Sequence, residues 1–407
     1  MFSSTFFAGN RSALRAKTDV DFVILSANGM VQKSADLVFP FRQDSNFWYL
    51  TGCTVADAVF VLDVQQGVAT VILPPRLKQR DAWEGVIDRE DIKKNGALDV
   101  VIDADEGQKY LRSISKQKPR IGTIVPDGAY IAAYGLHFNP AKMLFKNRLK
   151  RLFGASTLVD IRIVMAGLRQ VKQPQELEAI QKAIDITIDS FEALKKELPH
   201  MQGEQDIDIF VSHQFRLRGG KGHAYDPIVG CGEHAATIHY ETNDGPLAAN
   251  SLLLMDIGAE YEGYAADISR TWALGEPSDK QRAVYDAVKA THQYALSLLK
   301  PGVVIREYQK QVAAYQVDQL IQRGIIAAKD RKTSEANYPH LVSHFLGLDV
   351  HDAGLYEEPL PVGAVITVEP GYYMQAEKIG VRIEDDVLIT QDGAVNLSAR
   401  LSDNLVY

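Results

Sequence analysis

The stretch SLLLMDIGAEYEGYAADISRTW, residues 251–272, carries two strand-like apolar runs on either side of Tyr261-Glu262-Gly263. Gly263 suits the positive φ of a bulged hairpin turn, and folding the chain about that centre predicts Asp256 opposite Asp267. Directly opposed residues project on one face of a sheet, so two acids meet where like charges repel unless something positive sits between them. Asp256 also ends the run LLLM, where an uncompensated charge is costly. One such Asp alone reads as a turn or rim residue; the pair reads as part of a site.

The device recurs in AVITVEPGYYMQAEKIGVRIEDDVLIT, residues 364–390. Glu369 closes an apolar strand and Glu384 sits inside another, so a second hairpin brings two more carboxylates together. Arg382, Glu384 and Asp386 alternate with Val381, Ile383 and Val387, which lets Arg382 stand beside Glu384 and orient it. Between the hairpins lies LVSHFLGLDVHD, residues 341–352, an apolar segment bearing His344, Asp349, His351 and Asp352, with His340 just ahead, in a chain of only ten histidines. Such a cluster is either a buried polar network or a reaction site.

Four carboxylates and one imidazole, from Asp256, Asp267, His344, Glu369 and Glu384, match the demand of two divalent cations about 3.5–4 Å apart, which need bridging carboxylates and four negative charges. Mostly oxygen donors with one histidine favour manganese (Mn2+), with Co2+ or Zn2+ able to substitute. A structural zinc site would instead need a cysteine-rich cluster, which this chain lacks.

Outward from these segments, composition sets the bounds. At 407 residues and 46% hydrophobic, the chain can bury a sizeable core and is long for one domain, so two are expected. A net charge of −8 argues against nucleic acid or anionic lipid as a main partner. Two cysteines, Cys53 and Cys231, give no disulfide framework and fit a reducing, cytoplasmic setting. No apolar run approaches a membrane span. The start MFSSTFFAGNRSALRAKTD bears Ser and Arg with no acid before Asp19, which also fits a mitochondrial transit peptide. The alternative is a first amphipathic helix with Phe6, Leu14 and the basic residues on different faces.

Short strands are expected at 22–25, 58–62, 69–73, 100–102 and 121–125, with helices between them, which is an α/β domain. Pro174 at a first turn and Pro199 bound a long helix over 174–197, and further helices are expected at 204–219, 279–299 and 304–323. The domain break falls near residue 168, giving 1–168 and 169–407, the second part mixing helices with antiparallel strands.

These segments resemble aminopeptidase P, the Xaa-Pro aminopeptidase branch of metallopeptidase family M24. LVFPFRQDSNFWYLTG (37–52) is similar to a characteristic N-terminal segment; VGCGEHAATIHYE, MDIGAEYEGYAADISRTW, HLVSHFLGLDVHD, TVEPGYY and GVRIEDD follow in the family's order. The resemblance spans almost the whole chain and implies a two-domain α/β architecture, a creatinase-like α/β domain followed by an α+β pita-bread catalytic domain. It implies that Asp256 and Asp267 ligate one metal, that His344 belongs to the other, that Asp267 and Glu384 bridge the pair, and that Glu369 completes it while serving as general base toward the bridging water.

By the same resemblance, His239 and His351 polarise the substrate carbonyl. His340 lines the substrate pocket with Tyr372, and Arg382 joins them there. His351 read alone is a loop histidine beside an aspartate, and Asp349 and Asp352 read as capping or supporting residues. The implied substrate is a peptide with proline second, whose tertiary amide lacks the N–H that ordinary peptidases bind. Trp83, in AWEG, resembles a tryptophan that reaches a neighbouring subunit's site, implying a homo-oligomer, a dimer or tetramer; the alternative is a core Trp. Only MQAEK separates TVEPGYY from IGVRIEDD, where many relatives carry an insertion, so a prolidase acting on Xaa-Pro dipeptides is the alternative activity. A metal-free binding protein on the same fold fits less well, because all five ligand positions are filled.

Overall fold

In the computed structural model, which describes residues 2–75, 81–124, 139–336 and 339–407, the chain divides into two units, Met1–Leu168 and Arg169–Tyr407. In the first, FVILS (Phe22–Ser26) and VFVLD (Val59–Asp63) are buried nearly throughout, the pattern of strands covered on both faces. They pair antiparallel, Phe22 against Asp63. Around them a six-stranded sheet runs in the order Val100–Ile102, Ala69–Ile72, Val59–Asp63, Phe22–Ser26, Ile121–Thr123, Leu158–Asp160. Ile24, Val61, Ile72, Leu111, Ile121 and Leu149 share its apolar core. The strand expected to reach Val125 ends at Thr123, and Val125 lies outside the described residues. Leu158–Asp160 and the hairpin of Gln32–Ser34 with Leu37–Val38 were too short for periodicity to betray.

Two expectations for this unit need correction. The first helix, Ser4–Lys17, buries Phe6, Phe7 and Leu14, and Arg11 with them. Arg11 Nη1 donates to the carbonyls of Leu50 (2.7 Å) and Gly96 (2.9 Å). Burial lowers its pKa to about 10, partly offset by Asp99, so the basic residues do not form a separate face. Trp83 is 87% exposed, which overturns the core reading of that residue.

In the second unit, the helix Pro174–Glu197 starts with Pro at its first turn, where the missing N–H costs nothing, and Glu176 Oε2 accepts from Gln173 N at 3.0 Å. Glu204–Leu217, Asp279–Leu298 and Ile305–Gln322 follow. The helices Asp279–Leu298 and Ile305–Gln322 pack on one another and on the sheets beneath through Val288, Tyr308, Val312, Ile366 and Val387 among others.

Three antiparallel assemblies matter for the site. Ser251–Ile257 lies between Ile228–Cys231 and Ile268–Leu274. Val365–Val368 pairs with Asp385–Thr390, and Gly371–Met374 pairs with Ile379–Arg382. The segment 342–346 lies along Val365–Val368 by a bridge between Phe345 and Ile366, with Thr367 N on His344 O (2.9 Å) and Glu369 N on Val342 O (2.9 Å). Among the described residues no helix is long and apolar enough to cross a membrane.

Candidate metal centre and active site

The first hairpin turns one residue later than the sequence suggested. Tyr261 pairs with Tyr264, so the loop is Glu262-Gly263 alone, and both have positive φ, 52° and 87°. That is the two-residue type I′ geometry whose twist matches the flanking strands. The ladder therefore sets Asp256 opposite Ser269, not Asp267, and Asp267 stands one pleat further on, just before Ile268–Leu274. The two carboxyls still meet, close enough to share a hydrogen bond. In the second hairpin Val368 faces Asp385 and Gly371 faces Arg382, which leaves Glu369 across from Glu384 where the paired strands pass from one sheet to the next.

His344 joins these acids through the bridge at Phe345. Its Nδ1 faces the carbonyl of Phe345 at 3.1 Å, so that nitrogen carries the proton. Its Nε2 lies 3.3 Å from Asp267 Oδ2 and 3.3 Å from Glu369 Oε1. This is the arrangement of a metal-ligating histidine, with one N–H spent on a backbone carbonyl and the other nitrogen aimed into the site. One ligand atom each from Asp267, His344 and Glu384 fall within 4.8 Å of one another, and all three residues are buried.

Charge is the defining feature of this cluster. Burial first, then the charge of Asp256, pushes Asp267 well above the ordinary carboxylate range. Burial and the charges of Asp267, Glu369 and Asp256 do the same to Glu384. Glu369 is raised to about 7, by burial against the opposing pull of His344, with Asp267 adding to the rise. Only Asp256 is lowered: burial works against it, but Arg382 outweighs that with an ion pair at 2.6 Å, and Tyr225 adds a hydroxyl on Oδ1 at 2.5 Å. A buried set of carboxyls short of positive charge, converging on one imidazole nitrogen, fits divalent cations.

Arg382, expected to touch substrate, is committed to protein groups. Besides Asp256, its Nε donates to Ser269 Oγ (2.8 Å) and its Nη1 to the Tyr373 hydroxyl (2.7 Å). Ser269 Oγ in turn donates to Glu384 Oε2 at 2.7 Å, so Arg382 orients Glu384 through the serine. Tyr372 is a second correction. Strand alternation turns it into the apolar cluster of Leu252, Val284 and Val381, and Tyr373 faces the site instead, its hydroxyl 3.0 Å from His340 Nε2.

His340, His351 and His239 lie beside this cluster. His340 Nδ1 lies 2.8 Å from the Leu341 carbonyl and 3.4 Å from Glu369 Oε2; burial, then Arg382, lowers its pKa to about 4. The His351 ring stands edge-on to His344, centroids 4.4 Å apart, and desolvation, then the charges of His344 and His239, lowers it to about 4. His239 is exposed, in the turn after His234–Ala236, near enough to act electrostatically on both. Asp349 and Asp352 point away from the acids: Asp352 pairs with Arg169 and with Lys172 Nζ (2.8 Å), and Asp349 with Arg169 (2.8 Å). Tyr225 and Ser269 are supporting groups given no part in the sequence reading, and Asp386, expected only to alternate with Arg382 and Glu384 along its strand, accepts from Asp267 N at 3.1 Å through Oδ2. Only tertiary pairing brings Tyr225 and Ser269 to the ligands.

A two-unit chain whose second unit holds a metallopeptidase-type carboxylate and histidine centre is the class that fold and site define. Residues 178–391 match metallopeptidase family M24 and residues 7–122 match the aminopeptidase P N-terminal domain. The chain belongs to metallopeptidase family M24. It is 32% identical over 397 residues to an Xaa-Pro aminopeptidase of Escherichia coli (strain K12), covering 91% of this chain and 88% of that protein. It is 31% identical to the mitochondrial intermediate cleaving peptidase 55 of Arabidopsis thaliana, covering 95% of this chain and 78% of that one. Among solved structures, E. coli aminopeptidase P with the inhibitor Pro-Leu superposes with a TM-score of 0.86 at 28% identity, covering 99% and 96% of the two chains. Proline aminopeptidase P II from Yersinia pestis superposes with a TM-score of 0.83 at 31% identity, covering 99% and 98%.

Proposed function

We propose that this protein is an Xaa-Pro aminopeptidase, removing the first residue from peptides with proline second. The observation that carries the reading is the cluster of buried Asp267 and Glu384 with partly buried Glu369 about His344, Asp256 meeting Asp267, the whole short of positive charge and flanked by His340 and His351. Asp256, Asp267, His344, Glu369 and Glu384 would hold two divalent cations, most simply Mn2+. When bound, such ions supply Lewis-acid chemistry, lowering the pKa of water and receiving the substrate's free amine.

The chain's own residues do the rest. The Glu369 carboxylate takes the proton of the attacking water and delivers it to the proline nitrogen as the C–N bond breaks. That nitrogen has no hydrogen of its own and leaves only once protonated. His351, held neutral by burial, and His239 present N–H groups to the carbonyl oxygen as it becomes tetrahedral. His340 has Nδ1 directed to Leu341 O and Nε2 held by Tyr373, and with Tyr373 it forms the aromatic wall against which proline packs. We place the activity in the cytosol, where the buried thiols of Cys53 and Cys231 stay reduced, and in a homo-oligomer to which the exposed Trp83 offers a contact.

The test is product analysis on chelator-stripped protein reloaded with Mn2+, comparing an Xaa-Pro-Yaa tripeptide with the matching Xaa-Pro dipeptide. Release of Xaa from the tripeptide alone is the expected result. Cleavage of the dipeptide alone would make the protein a prolidase, and silence on both would remove the enzymatic reading.

A further inference from the structure

The segment 231–245, which carries His239, is tied down by a carboxylate with no part in the chemistry above. Glu204 opens the helix Glu204–Leu217 and is fully buried. Its Oε1 accepts from Cys231 N (2.7 Å) and its Oε2 from Gly245 N (2.7 Å) and the Tyr240 hydroxyl (2.9 Å), while His234 Nδ1 lies 2.9 Å from Oε1 and 3.2 Å from Oε2. Glu204 N donates back to Gly245 O at 2.9 Å. Both ends of the segment and two side chains within it thus converge on one residue.

The grip passes directly to His239. Tyr240, its chain neighbour, stacks on the His234 ring with centroids 4.2 Å apart at 25°, and its hydroxyl also lies 2.9 Å from Asp244 Oδ1. A side chain at 245 has no room: a Cβ there would fall 2.6 Å from the His234 ring and 2.8 Å from Glu204 Oε2. Since His239 itself is exposed, its place near His340 and His351 comes through the backbone that Tyr240 anchors. A carboxylate suits this post because it is acceptor-only, with about four lone-pair sites for four donors. An amide would turn an NH2 group toward one of the backbone N–H groups.

We propose that Glu204 is a positioning residue for His239, fixing the loop that presents this imidazole to the substrate carbonyl. The proposal rests on the role given to His239 above. It is tested by measuring kcat, KM, metal content and Tm for E204Q, H239A and the double variant on an Xaa-Pro-Yaa tripeptide with Mn2+. E204Q should lower kcat by up to about 100-fold, the scale of a misplaced catalytic group, with metal content unchanged. In the H239A background the same change should cost no further kcat, because a residue acting through His239 has nothing left to position.

Losses that multiply in the double variant, or an E204Q enzyme with undiminished kcat, would overturn the proposal while leaving His239 its role. A fully active H239A would overturn that role, and the positioning proposal with it. Should E204Q not fold, Y240F removes one hydroxyl from the same network and must show the same non-additivity with H239A.

Discussion

Two groups of acids in the catalytic unit are provided for differently. Asp352 has Arg169 and Lys172 against it, and although burial opposes ionisation, those two cations hold its pKa below the ordinary value. Asp267, Glu369 and Glu384 have imidazoles beside them, His344 and, at Glu369, His340, while the guanidinium of Arg382 is paired with Asp256. Their pKa values rise instead. Asp352, matched by the chain's own cations, fixes structure, whereas Asp267, Glu369 and Glu384, left unmatched, call for positive charge from outside.

Removing a member of each group should separate the two roles. Asp267→Ala should lower turnover by at least about 10⁴-fold, the scale of losing an essential catalytic component, and reduce bound metal measured on the purified protein, with the first unit's fold intact by circular dichroism. Retained activity would erase the distinction. Asp352→Ala should do the reverse, leaving bound metal unchanged but costing roughly 3–5 kcal/mol in chemical denaturation, because Arg169 and Lys172 are left buried without their partner.

The unmatched acids also give the metal-stripped protein a pH signature. A carboxyl whose folded pKa lies above its unfolded one stabilises the fold while protonated, and that contribution is lost as pH rises through the folded value, about 7 for Glu369. Glu369's share is on the order of 3 kcal/mol. Thermal scans should therefore show Tm of the chelated protein falling between about pH 4.5 and 7, the unfolded and folded values, and divalent cations raising it more at the upper end. A flat profile would mean that these acids are matched after all.

The smallest effect sharpens the boundary of the site. Tyr373→Phe strips a partner from both Arg382 and His340, which should cost about 1–3 kcal/mol in kcat/KM. Tyr372→Phe, in the apolar cluster, should change steady-state kinetics by less than about twofold.

What was legible in the sequence follows from how local each signal is. The four long helices expected in the catalytic unit carry their stops and starts within a few residues: Pro174 at a first turn, and Ser278 with Gln281 as a reciprocal cap. The acids stood out because a charge at the end of an apolar run is conspicuous. Register was not legible, because a hairpin that turns at Glu262-Gly263 and one centred a residue earlier share nearly the same pattern, and only φ at Glu262 decides. Tyr372 and Tyr373 are adjacent and chemically alike, so the face each takes is settled by the ladder Tyr373↔Gly380. Glu204 and Tyr225 carry no motif, and their importance arises from donors and acceptors far along the chain.

That ladder also determines where the protein tolerates a change in length. In the second hairpin the pairs Val368↔Asp385 and Gly371↔Arg382 bracket Glu369 and Glu384, and the last pair, Met374↔Ile379, precedes the connection. Residues added beyond that pair shift no ligand and cost only loop closure, about 0.6 kcal/mol for each doubling of the loop. A single deletion between Gly380 and Glu384 would turn the following side chains to the other face, removing a carboxylate from the site and putting an apolar group or a misdirected acid in its place. The tip can be lengthened freely, while a few residues away the chain allows no change at all.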